Sequence, residues 1–228
     1  MKIIKIFLSA LCAATAVILP SGDFKAAESR CLIDNVVFFG DSTTAHLCVR
    51  GGIPRERVWS GEGSTMLFTS VSDKSVKIGS EMMSLAEAAA RYRPKILVIT
   101  VGASGGAGFL KESRFKSIYR KMLDGVRIAS PETKIIVQSI YPLSDKSVKY
   151  YKKLTRQAVV EANSWIKDVC FDENVPFIDA HSLLVGDNGY LRPEFQNDEY
   201  LHLTAAAYRV ILNNIETYLE MHKDVYNS

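Results

Sequence analysis

The sequence offers little to a charged partner. Its 28 lysines and arginines nearly balance its 25 acids, and the formal net charge is only +3 over 228 residues. The lysines are scattered along the chain, whereas a nucleic-acid interface gathers them on one basic face. Nucleic acid is therefore not an expected partner, and nothing in the composition favours an acidic one.

Histidine and cysteine are also scarce, with four of each. No pair of cysteines is spaced with histidines as zinc ligands are, so we expect no metal site and no cofactor. Internal repeats and low-complexity segments are lacking too. With 47% hydrophobic and 23% charged residues, the composition is that of an ordinary globular protein with one sizeable core.

One long apolar run stands at the N-terminus. Met1–Lys5 is basic, Ile6–Leu19 is apolar or small throughout, and Pro20 closes the run. It is shorter than the roughly 20 residues of a spanning helix, and such a run after a basic start is typical of a secretory signal. The alternative is a buried N-terminal helix, but no amphipathic period is visible. We predict a signal peptide and linker over residues 1–29 and one domain over residues 30–228. The protein is then secreted or on the cell surface, with no membrane span other than an uncleaved signal.

Export would leave three cysteines, Cys31, Cys48 and Cys170, in the mature chain. An odd number allows at most one intramolecular disulfide. Cys31 with Cys48 is the conceivable pair, and free buried thiols are at least as consistent with the sequence.

Short apolar runs alternate with longer amphipathic ones along the rest of the chain. The predicted strands are Val36–Phe39, Ile96–Val101, Lys134–Ile140 and Val175–Ile178, and the predicted helices are Gly79–Tyr92, Lys111–Ile128, Ser147–Phe171 and Thr204–Glu220. Strands that alternate with helices and are apolar on both faces are typical of a parallel sheet covered on both sides. The sequence therefore predicts a single α/β domain.

In open α/β sheets the working crevice lies beyond the carboxyl ends of the strands. The residues at these ends are Gly40–Ser42 after the first predicted strand, Gly102–Gly105 after the second, and Tyr141 with Pro142 after the third. Residues that are distant in sequence can therefore meet at one edge of the sheet.

Ser42 is the candidate nucleophile at this edge. A serine needs a base to remove its proton, and the base works best when an acid orients it. His202 is the candidate base, because Glu199 lies three residues before it and Asp198 four. A carboxylate in such a turn can fold back onto the imidazole. Thr204, a candidate N-cap, would place the histidine at the start of the last helix.

Each of these residues also has a simpler interpretation. A strand that ends in Gly-Asp-Ser is often only a turn with an N-cap, and a lone histidine near a helix start is often structural. We expect His46 to lie on the first helix and point away from the nucleophile, and His181 and His222 to be surface or packing residues. Asp41 is interpreted as a structural acid, since a phosphatase nucleophile needs a second acid where Thr43 stands.

Taken together, the motifs resemble the GDSL family, also called SGNH hydrolases, over nearly the whole chain that follows the N-terminal segment. Gly40–Ser42 matches the nucleophile block, and His202–Thr204 matches the last block, which carries the acid and the base. The glycine block corresponds to Ser60–Thr65, in which Gly63, or alternatively Gly61, is the backbone donor to the oxyanion. A glycine there lets the backbone approach the oxyanion closely.

The resemblance implies a fold and a site. The fold is a three-layer α/β/α architecture with a central parallel sheet, similar to flavodoxin. The site is an oxyanion hole formed by the backbone N–H groups of Ser42 and Gly63 together with a side chain from a third block. That side chain is an asparagine in the family.

Two positions depart from the family pattern. In the third block, Gly102–Gly105, Ser104 stands where the asparagine is expected. A hydroxyl can donate but is shorter than an amide, and loss of one oxyanion donor typically lowers turnover about 10²- to 10³-fold. Glu199 stands in the aspartate position, and we prefer it to Asp198 as the acid because it has the expected spacing from His202.

The resemblance further implies an exported serine esterase. Ser42 would attack an ester carbonyl, His202 would move the proton, Glu199 or Asp198 would orient His202, and water would resolve the acyl-enzyme without a cofactor. We expect short-acyl or acetyl esters as substrates, either small molecules or glycans. The alternative is an SGNH-fold carbohydrate- or ligand-binding module in which catalysis is weakened or lost along with the asparagine.

Overall fold

The computed structural model describes residues 32–60, 68–70, 73 and 75–226 of the chain. The predicted signal peptide lies outside the described residues. The strands are β1 (Val36–Gly40), β2 (Val58–Ser60), β3 (Val76–Ile78), β4 (Glu81–Met83), β5 (Ile96–Thr100), β6 (Lys134–Gln138) and β7 (Phe177–Ile178). The helices are α1 (Ser42–Ala45), α2 (Leu47–Arg50), α3 (Leu85–Tyr92), α4 (Glu112–Ala129), α5 (Arg156–Asp172), α6 (His181–Leu184), α7 (Ala205–Met221) and α8 (Lys223–Tyr226).

The main sheet has the strand order β2-β1-β5-β6-β7, and every neighbouring pair is parallel. β1 lies between β2 and β5, so that Gly40 pairs with Ser60 on one side and with Thr100 on the other. Every residue of β5 is buried, as expected for a strand covered on both faces. The predicted α/β domain with a parallel sheet is confirmed.

Alternate side chains of β1 and β5 pack into two hydrophobic layers. On one face, Phe39 and Ile99 join the buried residues of α3, α4 and α5. On the other face, Phe38 and Val98 join those of α6 and α7. The side chains divide in this way because successive residues of a strand point to opposite faces. The three-layer α/β/α architecture that the resemblance implies is therefore confirmed.

The prediction of a helix over Gly79–Tyr92 is confirmed only for its second half. α3 begins at Leu85, because the Ser84 hydroxyl accepts from the Glu87 N–H while the Glu87 carboxylate accepts from the Ser84 N–H. This reciprocal capping box fixes the start of the helix. The residues before it form the β3–β4 hairpin, in which Gly79 has a φ of +61°, a conformation that favours glycine.

The helix predicted over Ser147–Phe171 begins later, at Arg156. Thr155 caps it, since its hydroxyl accepts a backbone N–H from the first turn. The earlier residues Asp145–Lys149 form a 3₁₀ turn, which the Ser144 side chain caps in the same manner. Residues 139–144 are buried, and residues 145–155, which include the predicted start of the helix, form a mostly exposed segment before α5.

The structure describes two of the cysteines. Cys48 and Cys170 are free thiols, and burial raises the pKa of the Cys170 thiol to about 12. Cys31 lies outside the described residues. Among the helices that the structure describes, none combines the length and the apolar character that crossing a membrane requires.

Candidate active site

The turn after β1 brings a serine hydroxyl to the carboxyl edge of the sheet. β1 ends at Gly40, where a Cβ atom would clash with the Thr44 hydroxyl and the Thr100 carbonyl oxygen. Only glycine permits so close an approach of α1 to β5. α1 then begins at Ser42, whose side chain is half-buried. The glycine thus explains why the strand can lead directly into a helix at this point.

Asp41 stabilises the same turn from its buried side. It is the N-cap of α1, and its Oδ1 accepts from the Thr43 N–H at 3.0 Å and from the Thr43 hydroxyl at 2.7 Å. Burial raises the pKa of the Asp41 carboxyl, although the hydrogen bonds from Thr43 and the nearby His202 act in the opposite direction. These contacts agree with the structural role predicted for Asp41.

Tyr208 ties α7 to the nucleophile turn. Its hydroxyl donates to the Thr43 carbonyl oxygen at 2.6 Å, and the residue is fully buried. α7 follows Thr204, whose hydroxyl accepts a backbone N–H and caps the helix as predicted. The helix after His202 is therefore anchored to the helix that begins with Ser42. No local pattern in the sequence indicates this contact.

The loop before α7 holds Asp198 against His202. The Asp198 Oδ1 accepts from the N–H groups of Tyr200 at 2.9 Å and His202 at 3.2 Å, and its Oδ2 lies 2.5 Å from His202 Nδ1. Burial acts to raise the pKa of Asp198, but the hydrogen bonds from His202 and Tyr200 outweigh it and hold the pKa below its usual value. An ionised carboxylate in this place keeps the imidazole proton on Nδ1.

His202 reaches the nucleophile turn from this loop. Its Nε2 lies 3.3 Å from Ser42 Oγ. Because Nδ1 donates to Asp198, Nε2 is the acceptor and can take the serine proton. The two ends of the domain thus bring a serine, an imidazole and a carboxylate into one chain of contacts. Such an arrangement can activate a serine for attack on a carbonyl.

The preference for Glu199 as the partner of His202 is wrong. The Glu199 carboxylate accepts from the Tyr150 hydroxyl at 2.8 Å and pairs with Lys146 at 3.3 Å, and these two groups lower its pKa. Spacing alone misleads here because the turn closes onto the Asp198 side chain through backbone N–H groups. The residue four positions before the histidine, and not the one three positions before, therefore meets the ring.

His46 lies against His202, so the expectation that it points away is also wrong. The two ring centroids are 4.3 Å apart and the rings are tilted by 48°. His46 Nδ1 lies 2.8 Å from the Arg50 guanidinium, which can only donate. His46 stands at the junction of α1 and α2, where the break between the helices leaves its ring beside the loop that carries His202.

A pocket of about 460 Å³ opens beside Ser42. The residues that line it are Asp41, Ser42, Thr69, Ala103, Ser104, Gly105, Phe109, Tyr151, Leu154 and Leu201. Ser104, the predicted third oxyanion donor, follows β5, and its carbonyl oxygen accepts from the Phe68 N–H at 2.8 Å. It therefore lines the same pocket as the predicted nucleophile. The contributions of Tyr151 and Leu154 were not predicted, since both fall in a segment expected to be helical.

Two glycines and one histidine remain among the predicted residues. Gly61 and Gly63 are outside the described residues, so the role of either as an oxyanion donor stays a prediction. His222 stacks on Tyr218 with 4.3 Å between ring centroids, in agreement with the packing role expected of it. Over the described ranges, from 32 to 226 with their gaps, no group of three or more His, Cys, Asp or Glu side chains is placed to hold a metal ion.

Comparison with known families gives one clear match. The model of the GDSL-like lipase/acylhydrolase family matches residues 38–210. This range contains both the nucleophile turn and the loop that carries Asp198 and His202. No curated protein matches the chain.

Several solved structures are similar in fold. A GDSL-like lipase of Bacteroides thetaiotaomicron has a TM-score of 0.61 and 17% sequence identity, with 82% of this chain and 88% of that chain covered. A carbohydrate esterase of family 3 from Talaromyces cellulolyticus has a TM-score of 0.54 and 16% identity, with 83% and 98% covered. The acetyl xylan esterase AlAXEase has a TM-score of 0.54 and 15% identity, with 81% and 98% covered. At these identities the likeness shows the fold alone.

Proposed function

The chain belongs to the GDSL-like lipase/acylhydrolase family and is a hydrolase acting on ester bonds; we propose that it is an exported serine esterase. Its substrates are short-acyl esters, above all acetyl esters, carried by glycans. The observation that carries the proposal is the continuous contact from Asp198 through His202 to Ser42 beside an open pocket.

In the proposed reaction, Ser42 Oγ attacks the acyl carbonyl while His202 Nε2 takes its proton. Asp198 holds the ring and stabilises the imidazolium that forms. His202 then gives the proton to the leaving sugar hydroxyl, and a water molecule resolves the acyl-enzyme by the same route. The Ser42 N–H and the Ser104 hydroxyl hold the oxyanion, with the Gly63 N–H as the further donor.

The pocket has room for an acyl group beside Ser42. Apolar side chains of Ala103, Phe109, Leu154 and Leu201 form much of its wall, and its volume of about 460 Å³ is that of a small-ligand site. Two of the structures similar in fold are named as a carbohydrate esterase and an acetyl xylan esterase. A glycan acetyl ester is therefore the substrate class that we favour.

Hydrolysis of a p-nitrophenyl ester series tests the proposal. We expect turnover to be fastest with the acetate, and Ser42→Ala to lower kcat by about 10⁶-fold, as loss of the nucleophile does in serine hydrolases. A fluorophosphonate should label the wild-type protein and leave the folded Ser42→Ala variant unlabelled. Equal turnover by the two proteins would contradict the proposal.

Ser104 favours one alternative, a binding module that kept the fold and lost catalysis. The Ser104 hydroxyl is shorter than the amide of the family's asparagine, and the oxyanion could be left with too few donors. If a folded wild-type protein neither turns over any ester nor reacts with a fluorophosphonate, this alternative replaces the esterase. If Ser104→Asn then restores labelling, the serine that stands in place of the family's asparagine accounts for the loss of catalysis.

Export is the part of the proposal that rests on the basic start and the apolar run at residues 1–19. Expression of the full chain in a secreting bacterial host, followed by N-terminal sequencing of the mature protein, tests it. We expect a new N-terminus after the apolar run. Retention in the cytoplasm with residue 1 still present would contradict export.

A further inference from the structure

The segment 145–154, which we name the lysine–tyrosine segment, forms a cationic surface beside the pocket. Four exposed lysines, Lys146, Lys149, Lys152 and Lys153, fall within eight residues of it, although the lysines look scattered over the chain as a whole. Its backbone is fixed by the buried side chains of Ser147 and Leu154. The segment therefore presents its lysines from a defined position.

The same segment is a wall of the pocket. Tyr151 and Leu154 line the pocket together with Ser42 and Ser104. Lys153 Nζ lies 5.7 Å from the ring centroid of Phe109, another lining residue. The cationic surface is therefore continuous with the place where the ester would react.

Three tyrosines extend this wall outward. The ring centroids of Tyr150 and Tyr200 are 4.3 Å apart, and those of Tyr151 and Tyr200 are 6.3 Å apart. Tyr150 is 45% and Tyr200 39% exposed, so the pair offers ring surface to solvent, while the Tyr150 hydroxyl donates to Glu199. Tyrosine suits a partner that is apolar on one side and hydrated on the other, as a sugar ring is.

Acidic groups do not cancel the charge of this surface. From Asp145 to Arg156 the sequence has five cationic side chains and Asp145 as its acid. From the opposite loop, Glu199 faces the segment and is paired with Lys146. A cationic rim beside a cleft raises the local concentration of anionic substrates and speeds their encounter.

We propose that the lysine–tyrosine segment and Tyr200 form a subsite for an anionic glycan, so that the ester group of an acidic polysaccharide is presented to Ser42. The lysines attract the carboxylate or phosphate groups of the polymer, and the tyrosine rings lie against its sugar units. The proposal rests on the proposed esterase function and narrows its substrate class. A sugar polymer fits this surface better than an anionic lipid layer, because the exposed rings of the protein are tyrosines, which carry hydroxyl groups.

Paired charge reversals test the subsite. Lys149→Glu with Lys152→Glu changes the segment, and Lys95→Glu with Lys134→Glu makes the same charge change at the amino ends of β5 and β6, at the opposite edge of the sheet. Wild-type protein and both double variants are assayed on acetylated polygalacturonate, acetylated xylan and p-nitrophenyl acetate. Melting temperatures of all three proteins confirm that the variants fold.

We expect the segment variant to lose kcat/KM on acetylated polygalacturonate by about 10-fold or more, the lower range of electrostatic steering. Its kcat/KM on the two neutral substrates should stay within about twofold, and the opposite-edge variant should resemble the wild type. Raising the salt concentration from about 0.05 M to about 0.5 M should lower wild-type activity on the anionic polymer selectively, since salt screens exposed charges. Equal losses on all three substrates, or no loss on the anionic one, would overturn the subsite.

A binding measurement separates failure of the subsite from failure of the esterase. The Ser42→Ala variant should be retarded in a native gel that contains polygalacturonate and should run freely in one that contains dextran, and the two lysine reversals should abolish the retardation. Retardation without any ester hydrolysis by the wild type would remove the proposed function and keep the binding surface. Binding of the protein to phosphatidylglycerol vesicles without retardation by polygalacturonate would overturn the glycan in favour of a membrane.

Discussion

Asp41 precedes Ser42 in the nucleophile turn and Asp198 contacts His202, and the pKa values of their carboxyl groups are shifted in opposite directions. Asp41 is buried, and burial dominates over the two hydrogen bonds from Thr43, so its pKa is raised. Asp198 is partly exposed, and the hydrogen bonds it accepts outweigh burial, so its pKa is lowered. The surroundings of each carboxyl group therefore decide its role: Asp41 stabilises the turn, and Asp198 pairs with the imidazole.

Glu199 extends the comparison to a third carboxylate. It follows Asp198 in sequence, yet it accepts from Tyr150 and pairs with Lys146 on the other side of the loop. One loop thus supplies a partner for the proposed catalytic base and a contact to the proposed glycan subsite. The donors that surround a carboxylate decide its role here, more than its spacing from the histidine.

Among variants that keep Ser42, the largest effect should come from Asp198→Asn. An amide in this position favours the wrong imidazole tautomer, and a comparable change in a serine protease lowers kcat about 10⁴-fold. We expect a loss of that order in kcat on p-nitrophenyl acetate, with KM little changed. Glu199→Gln is the matched control, and its kcat should stay within about twofold because exposed ion pairs contribute little.

A loss in Glu199→Gln as large as that in Asp198→Asn would contradict the separate roles of the two carboxylates. The loop would then have to rearrange when substrate binds. The loss of activity in Asp198→Asn should also appear as slower labelling by a fluorophosphonate. In that reaction Ser42 Oγ displaces fluoride from phosphorus, so the rate reports activation of Ser42 without a deacylation step.

An intermediate effect should come from His46, which we expect to be a positioning residue for His202. Loss of its ring in His46→Ala frees the face of His202 against which it packs. A small displacement of a catalytic group is costly, and we expect kcat to fall about 10-fold with KM unchanged. His46→Phe keeps the ring and loses the Arg50 contact, so it should recover most of the activity.

A purely structural role of His46 predicts something else. In that case the melting temperature of His46→Ala would fall while kcat of the folded fraction stayed at the wild-type level. Measuring kcat and KM beside the melting temperature of both variants distinguishes the two roles.

Strands β1 and β5 and the nucleophile turn are predictable from sequence because their causes are local. β1 and β5 are short apolar runs buried on both faces, and the glycine that ends β1 is required where α1 approaches β5. β2 has only three residues, Val58–Ser60, which are too few to show a period. It becomes a strand because it pairs with β1, a contact that no local pattern carries.

The sequence predicts which residues come together at the site better than it predicts how they contact one another. Motif and spacing indicate Ser42, His202 and Asp198, but the choice between Asp198 and Glu199 depends on which carboxylate the backbone N–H groups of the loop reach. Whether His46 meets His202 depends on where the loop before α7 lies. Both are tertiary facts, and a pattern of residue types does not contain them.

The smallest effect expected is a difference in how stability depends on pH. The folded pKa of Asp198 lies below its ordinary value of 3.8. Its contribution to the free energy of unfolding is therefore present above that value and lost as the pH falls through the folded pKa. The folded pKa of Asp41 lies above 3.8. Its contribution is therefore full below that value and lost as the pH rises through the folded pKa.

Urea unfolding of wild type, Asp198→Asn and Asp41→Asn at about pH 7 and about pH 3 measures this difference, since each variant lacks one of the two titrations. On acidification the wild type should lose stability relative to Asp198→Asn and gain stability relative to Asp41→Asn. The amide introduced by Asp41→Asn can still accept both bonds from Thr43, because both go to one oxygen, so the second comparison isolates the charge. If the free energy of unfolding changed with pH in the same way in the two variants, the pKa values of Asp41 and Asp198 would be shifted alike. The difference between Asp41 in the turn and Asp198 at the imidazole would then be one of geometry alone.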